Sequence, residues 1–336
     1  MNKMLFGLVV GLFSAGSVFP PGARADQPRR YEAVEVRRAT EGGARPYFFR
    51  AVAFLFRASE LWVLDLEDNE VRVFSEAGQF LRALGRKGNG PGEFDMPTDM
   101  DVLGERVYVA DGGNRRVQIL DKKGAYLEGF KVGFFPRKIL ALGEDRIIVA
   151  HLPSGREGKE KMLHCFNRRG ELLWEAFDSY FSGNSVFDTF RNDILLRRGE
   201  GGHFYVLGRS EEKNIFKLDS RGRQAEVIRV GEDYPLRKVA IPTGEKGKRR
   251  ELCAFFWNGD WHAGKFYLAI PDYRDKQDVN PGKEVAVVDE TGRVEAFIHF
   301  PIPVSSLSVT QSGKRIFALD SQGELWIFEV SKTKAP

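Results

Sequence analysis

Cysteine is nearly absent from this 336-residue chain, which has only Cys165 and Cys253. Two residues cannot form a disulfide framework, and no C-x-x-C spacing occurs to suggest a redox or zinc motif. Both sit in apolar, strand-like runs, Leu163-His-Cys-Phe and Leu252-Cys-Ala-Phe-Phe, so two buried free thiols are expected. Histidine is scarce as well. His151, His164, His203, His262 and His299 include no H-x-H or H-x-x-x-H pair, which removes the usual zinc signatures. There is no G-x-S-x-G nucleophile elbow and no G-x-x-x-x-G-K-[ST] phosphate loop. Charge of one sign is also lacking: the formal net charge is +4, or +2 once Lys3 and Arg24 leave with an N-terminal leader. So balanced a surface has no global field to draw in nucleic acid, and Lys246-Gly-Lys-Arg-Arg250 is the single strong basic run. No long segment shows apolar residues at a helical period, and no Pro/Ser-rich linker divides the chain.

What is present begins with a targeting pattern over residues 1–25. Lys3 precedes an apolar run from Met4 to Val18, then Pro20-Pro21 and an A-x-A site, Ala23-Arg24-Ala25. The run is short for a membrane span, so cleavage before Asp26 is expected, with export to a periplasmic or secreted location and no membrane span afterwards.

The remainder, residues 26–336, reads as one repetitive domain. An apolar strand, a polar turn closing on glycine and a second apolar strand recur at Phe74-Ser-Glu-Ala-Gly78, Leu120-Asp-Lys-Lys-Gly124, Phe166-Asn-Arg-Arg-Gly170, Leu218-Asp-Ser-Arg-Gly222 and Val288-Asp-Glu-Thr-Gly292. The first three glycines are 46 residues apart. Before each phrase stands a strand that is apolar on both faces: Leu61–Asp65, Val107–Asp111, Ile147–His151, Phe204–Gly208 and Phe266–Ile270, with a sixth copy at Ile316–Asp320. Four strands per unit of about 45 residues is a propeller blade. The pattern predicts an all-β, six-bladed β-propeller with blades near 50–84, 97–131, 137–177, 189–230, 251–300 and 304–330. The last unit is one strand short, and Tyr31–Arg38 is expected to complete it and close the ring.

The stretch Leu84-Gly-Arg-Lys-Gly-Asn-Gly-Pro-Gly-Glu-Phe-Asp-Met-Pro97, continued by Val107-Tyr-Val-Ala-Asp111-Gly-Gly-Asn114-Arg-Arg-Val117, resembles the NHL repeat. A weaker copy covers Leu61 to Leu84, with Asp65, Asn69 and Val71 in the equivalent places. Beyond Phe135 only the strand and glycine framework persists. The resemblance implies a six-bladed propeller of the NHL/TolB-like kind and selects no member function. Asp111, Asn114 and Arg116 bracket one loop, and their side chains are expected to brace it.

Nearly all long irregular segments fall on one face of such a propeller, among them Gly85–Pro97, Asp178–Asp188 and Gly231–Glu251. Binding residues concentrate on loops carried by a rigid scaffold. Candidates for the channel mouth on that face are Arg50, Asp99, Arg137, Asp188, Arg191 and Arg237, with Ser305 and Ser306 in the last blade. An arginine-rich ring suits an anionic or carboxylate-bearing ligand. The chain is therefore expected to be a monomeric binding module for a protein, peptide or glycan. The alternative is a propeller enzyme of the lactonase or amidating-lyase kind at the same mouth. No catalytic residue, cofactor or metal is expected. The weaker alternative is calcium at Asp272, Asp275, Asp278 and Asn280, where Arg274 and Lys276 interleave.

Overall fold

The computed structural model describes residues 27–40, 46–48, 50–153, 160–183, 185–208, 212–236, 238–242, 249–272 and 280–332. Strand β1 (Arg29–Arg38) comes first in the chain and last in the architecture. Four-stranded antiparallel units then follow in order. The first is β2 (Ala51–Arg57), β3 (Glu60–Asp65), β4 (Glu70–Ser75) and β5 (Phe80–Leu84); the second is β6 (Pro97–Leu103), β7 (Arg106–Asp111), β8 (Arg116–Asp121) and β9 (Tyr126–Lys131). The third is β10 (Lys138–Gly143), β11 (Arg146–Ala150), β12 (Lys161–Phe166) and β13 (Leu172–Asp178). A short helix, α1 (Ser185–Arg191), leads into β14 (Ile194–Arg198), β15 (Phe204–Gly208), β16 (Asn214–Leu218) and β17 (Gln224–Arg229). A separate hairpin, β18 (Lys238–Pro242) with β19 (Arg249–Cys253), precedes β20 (Gly259–His262), β21 (Lys265–Asp272), β22 (Asn280–Asp289) and β23 (Val294–His299). The last unit is β24 (Ser306–Val309), β25 (Arg315–Leu319) and β26 (Leu325–Lys332), completed by β1.

The innermost strands β2, β6, β10, β14, β20 and β24 each touch the next, and β24 returns to touch β2. That closed circuit is a six-bladed propeller. β1 runs antiparallel to β26 from Tyr31 opposite Lys332 to Arg38 opposite Trp326, as the missing strand requires. It also pairs in parallel with β23 through Arg29–Glu32, which fuses the fifth and sixth blades into one eight-stranded sheet. Between blades, buried side chains form dry layers. Trp62, Val73, Phe94, Val107 and Leu120 pack between the first and second blades, and Tyr205, Phe255, Phe266 and Val288 between the fourth and fifth. Cys165 is in such a layer as a free thiol, and burial pushes it up to about 12, far from the thiolate a reactive cysteine needs. The side chain of Cys253 lies outside the described residues.

The repeated turns have a local cause. Gly124 adopts φ +95°, a conformation costly for any residue with a Cβ. Asp121 Oδ1 accepts the amides of Lys123 and Ala125 at 2.8 and 2.9 Å, and these amides draw its carboxyl below its ordinary value. The helix α1 departs from the all-strand expectation for the mature chain. At seven residues it is too short to show a helical period.

Candidate functional site

The centre of the propeller was expected to hold a ligand at its mouth. Pairing each innermost strand with its neighbour aligns Leu55, Asp101, Leu140, Arg197, Asp260 and Ser308, opposite Trp62, Tyr108, Ile148, Tyr205, Tyr267 and Phe317 respectively. Leu55, Asp101, Leu140, Arg197 and Asp260 line the channel, and Ser308 is fully buried beside them. An innermost strand has no neighbour on its channel side, so its amides need side-chain partners. Asp101 Oδ2 accepts Ala141 N of the next blade at 2.9 Å, Asp260 Oδ2 accepts Val309 N at 3.0 Å, and Ser308 Oγ accepts Phe56 N at 2.8 Å. Arginines complete the ring from the fourth blade: Arg197 donates to Gly259 O, and Arg198 to Asp101 and to Ala141 O. Arg197 Nε stands 3.5 Å from Asp260 Oδ1, and burial lowers its guanidinium below the ordinary value while Asp260 opposes that shift.

A cavity of about 50 Å³ in the channel is ringed by Arg57, Asp99, Asp101, Lys138, Arg197 and Asp260. That volume accommodates a few waters, whereas small-molecule pockets run to several hundred Å³. These side chains neutralise one another and tie blade to blade, so the channel acts as a plug. A roomier crevice of about 390 Å³ lies at the junction of the fifth and sixth blades, walled by Arg29, Tyr31, Lys265, Tyr267, Arg293 and Glu295. There Lys265 is already paired with Glu295 at 2.5 Å.

Of the residues expected at the mouth, the structure brings Asp99 and Ser306 into this channel, alongside Lys138 in the place given to Arg137. Arg137 itself is half-buried and donates its amide to Ala150 O at 2.7 Å. Arg50 is exposed beside Glu67, and its amide donates to Asp65. Asp188 and Arg191 do not enter an inner strand, since α1 carries both. Asp188 is buried and accepts the amide and hydroxyl of Ser182 at 2.9 and 2.6 Å, closing the loop, and Arg191 lies 4.1 Å over the Tyr180 ring. Ser305 donates its amide to Leu319 O. Arg237 and the loop with Asp275 and Asp278 fall outside the described residues. Among the described residues, no three His, Cys, Asp or Glu side chains converge to hold a metal.

Asp99 accepts Ile139 N at 3.0 Å, and burial pushes its carboxyl above its ordinary value of 3.8, with Lys138 opposing. A raised acid favours the folded state fully below its ordinary value and loses that contribution as pH climbs through the raised one. Asp99→Asn keeps an acceptor for Ile139 and carries no charge. It should melt higher than wild type near neutral pH, with the difference closing below about pH 4. Melting curves across pH check this; a variant that melts lower at neutral pH would contradict it.

The long-loop face has a different character. Asp111, fully buried, accepts Asp95 N, Asn114 Nδ2, Arg116 Nε and Gln118 Nε2 at 2.7–3.0 Å. Arg116 also donates to the carbonyls of Asn89, Gly90 and Glu93. The whole glycine-rich connector is thereby clamped to the second blade. At its end Met96 takes a left-handed backbone, φ +48°, held by donation of its amide to Asn69 Oδ1 at 2.9 Å. A non-glycine residue persists there only where surrounding contacts impose it. Met96 is 49% exposed and Phe135 36%, and both border Gly112. A Cβ on Gly112 would lie 2.7 Å from both Met96 O and Phe135 Cζ, so glycine lets the two segments meet. The meeting of Met96, Gly112 and Phe135 was not read from the sequence, because it joins residues from three loops.

Comparison with known proteins bears on the fold. A family model described as a six-bladed β-propeller matches residues 53–195. A segment of 46 residues is 44% identical to the mouse E3 ubiquitin-protein ligase TRIM32; it spans 13% of this chain and 7% of that protein's length. A crystal structure of a candidate exported protein from Bacteroides fragilis superposes with a TM-score of 0.61 at 11% identity, over 90% of this chain and 96% of the other. The WD40 propeller domain of Doa1 superposes with a TM-score of 0.51 at 11% identity, over 90% and 98%. No described helix is long and apolar enough to cross a membrane. With its closed circuit of six inner strands, the chain is an all-β six-bladed propeller.

Proposed function

We propose that this propeller is an exported binding module that recognises a polypeptide on its long-loop face, through the platform of Met96, Gly112 and Phe135. The platform carries the reading. Met96 is held exposed there by a strained backbone and a buried polar clamp, with the exposed Phe135 across Gly112, so this surface is ordered before a partner arrives. Methionine adapts its shape to apolar side chains, and an aromatic beside it supplies contact area. The plugged channel supports binding on the face over chemistry within the ring. Export rests on the leader pattern of residues 1–25, and the NHL-type reading of Gly85–Phe130 belongs to the same proposal.

Peptides selected from a displayed library on the purified mature protein test it. Met96→Ser with Phe135→Ser should weaken the selected peptides at least tenfold, which corresponds to about 1.4 kcal/mol. Leu81→Ser with Leu127→Ser, on outer strands that are equally exposed, should leave them unchanged. Peptides that bind the platform variant as they bind wild type would overturn the assignment.

A further inference from the structure

The third blade carries a pair of imidazoles that none of the above uses. His151 follows the end of β11, and His164 lies within β12 opposite Val149. His151 Nδ1 and His164 Nε2 are 3.1 Å apart. The outer nitrogens of both rings face carboxylates: His164 Nδ1 is 2.8 Å from Glu175 Oε1, and His151 Nε2 is 3.5 Å from Glu160 Oε2. Phe134 packs against both rings, with centroids at 4.8 and 4.6 Å. The two imidazoles are only 13% and 11% exposed, so their orientations are fixed.

The chemistry of these contacts is constrained. Glu175 accepts from His164 Nδ1, which leaves the lone pair of a neutral His164 on Nε2. His151 either donates its Nδ1–H to that lone pair or, with its N–H on Nε2 toward Glu160, turns a second lone pair to it. In the second tautomer both inner nitrogens present lone pairs to each other. A cation between them removes that repulsion, and carboxylates on the outer nitrogens are the usual second partners of metal-bound histidines.

We propose that His151 Nδ1 and His164 Nε2 chelate one divalent transition-metal ion, oriented by Glu160 and Glu175. Two nitrogens 3.1 Å apart, each about 2.1 Å from a common ion, subtend about 95° at it. That is a cis pair in a tetragonal site and narrower than a tetrahedral angle, so the geometry fits Cu(II) or Ni(II) better than Zn(II). Water or an outside ligand fills the other positions. The site is independent of the polypeptide reading, since neither imidazole belongs to the platform.

The test uses the untagged mature protein, stripped with chelator and titrated with Cu(II). Calorimetry should show one site lost at least tenfold in affinity in both His151→Gln and His164→Gln. Electron paramagnetic resonance should show two nitrogen ligands in wild type and one fewer in each variant. Glu175→Gln should weaken binding about tenfold and keep both nitrogens, as a positioning residue would. Equal Cu(II) affinity in wild type and both histidine variants would overturn the proposal. So would a wild-type signal without two nitrogens, a result that does not depend on whether any variant folds.

Discussion

Deletion of residues 27–38 is expected to lower the melting temperature by about 10 °C or more. β1 meets β26 at seven register positions and β23 at four, and its ladder continues where Ala39 N donates to Leu325 O at 3.3 Å. Each hydrogen bond contributes a net of about 1 kcal/mol, so the strand contributes several kcal/mol before packing is considered. Ala33 is buried among Ile298, Phe300 and Trp326, and the Arg38 guanidinium sits 3.7 Å over the Trp326 ring. Without β1, the eight residues of β26 become a free edge beside β23. Free edges pair with other chains, so the truncated protein should also scatter light on heating at concentrations where wild type stays clear. Val34 and Val36 point outward, 51% and 48% exposed, and Val34→Ser should leave the melt nearly unchanged. That contrast separates the ladder from the side chains. A truncated protein that melts with wild type would show that the ring does not depend on this closure.

The closure was legible because the repeat left a specific gap. Six copies of the second strand stood against five glycine phrases, the last blade was one strand short, and the unassigned strand near the N-terminus could fill the vacancy. The second strand of each blade is apolar on both faces and the third usually ends in a turn that demands glycine, so local chemistry marks these one by one. The channel was less legible. Which residue of an innermost strand faces inward depends on register, and a shift of one residue exchanges inward for outward. Arg137 precedes β10, which begins at Lys138, and Lys138 lines the channel. Asp101 and Asp260 stand two residues before the ends of β6 and β20 but Arg197 one before the end of β14, so no single count back from the hairpins collects them. Asp188 and Arg191 misled for another reason: seven helical residues ahead of β14 carry too little pattern to be told from strand. The histidine pair escaped because the two rings are thirteen positions apart in the chain, and only the pairing of β11 with β12 brings them into contact.

Asp260→Ala is expected to cost about 3–5 kcal/mol, the penalty for leaving a buried charge without its partner. Asp260 is 2% exposed and is the shared anion of Arg57 at 3.9 Å and Arg197 at 3.5 Å. It also accepts the Ser308 hydroxyl and the amides of Trp261 and Val309 at 2.8–3.0 Å. Alanine leaves those donors unpaired and removes the group that opposes the effect of burial on Arg197. Asp260→Asn keeps one acceptor oxygen but loses the charge and turns the other oxygen into a donor, so its cost should fall between wild type and alanine. The decisive comparison is the pair with Arg197→Gln. If charge compensation is what the ring provides, Asp260→Asn combined with Arg197→Gln should be more stable than the sum of the single losses predicts, by about 1 kcal/mol or more. Denaturant melts of the four proteins measure that coupling. Strict additivity would mean that the inward ring acts only through its bonds to the backbone amides, with the arginines as bystanders.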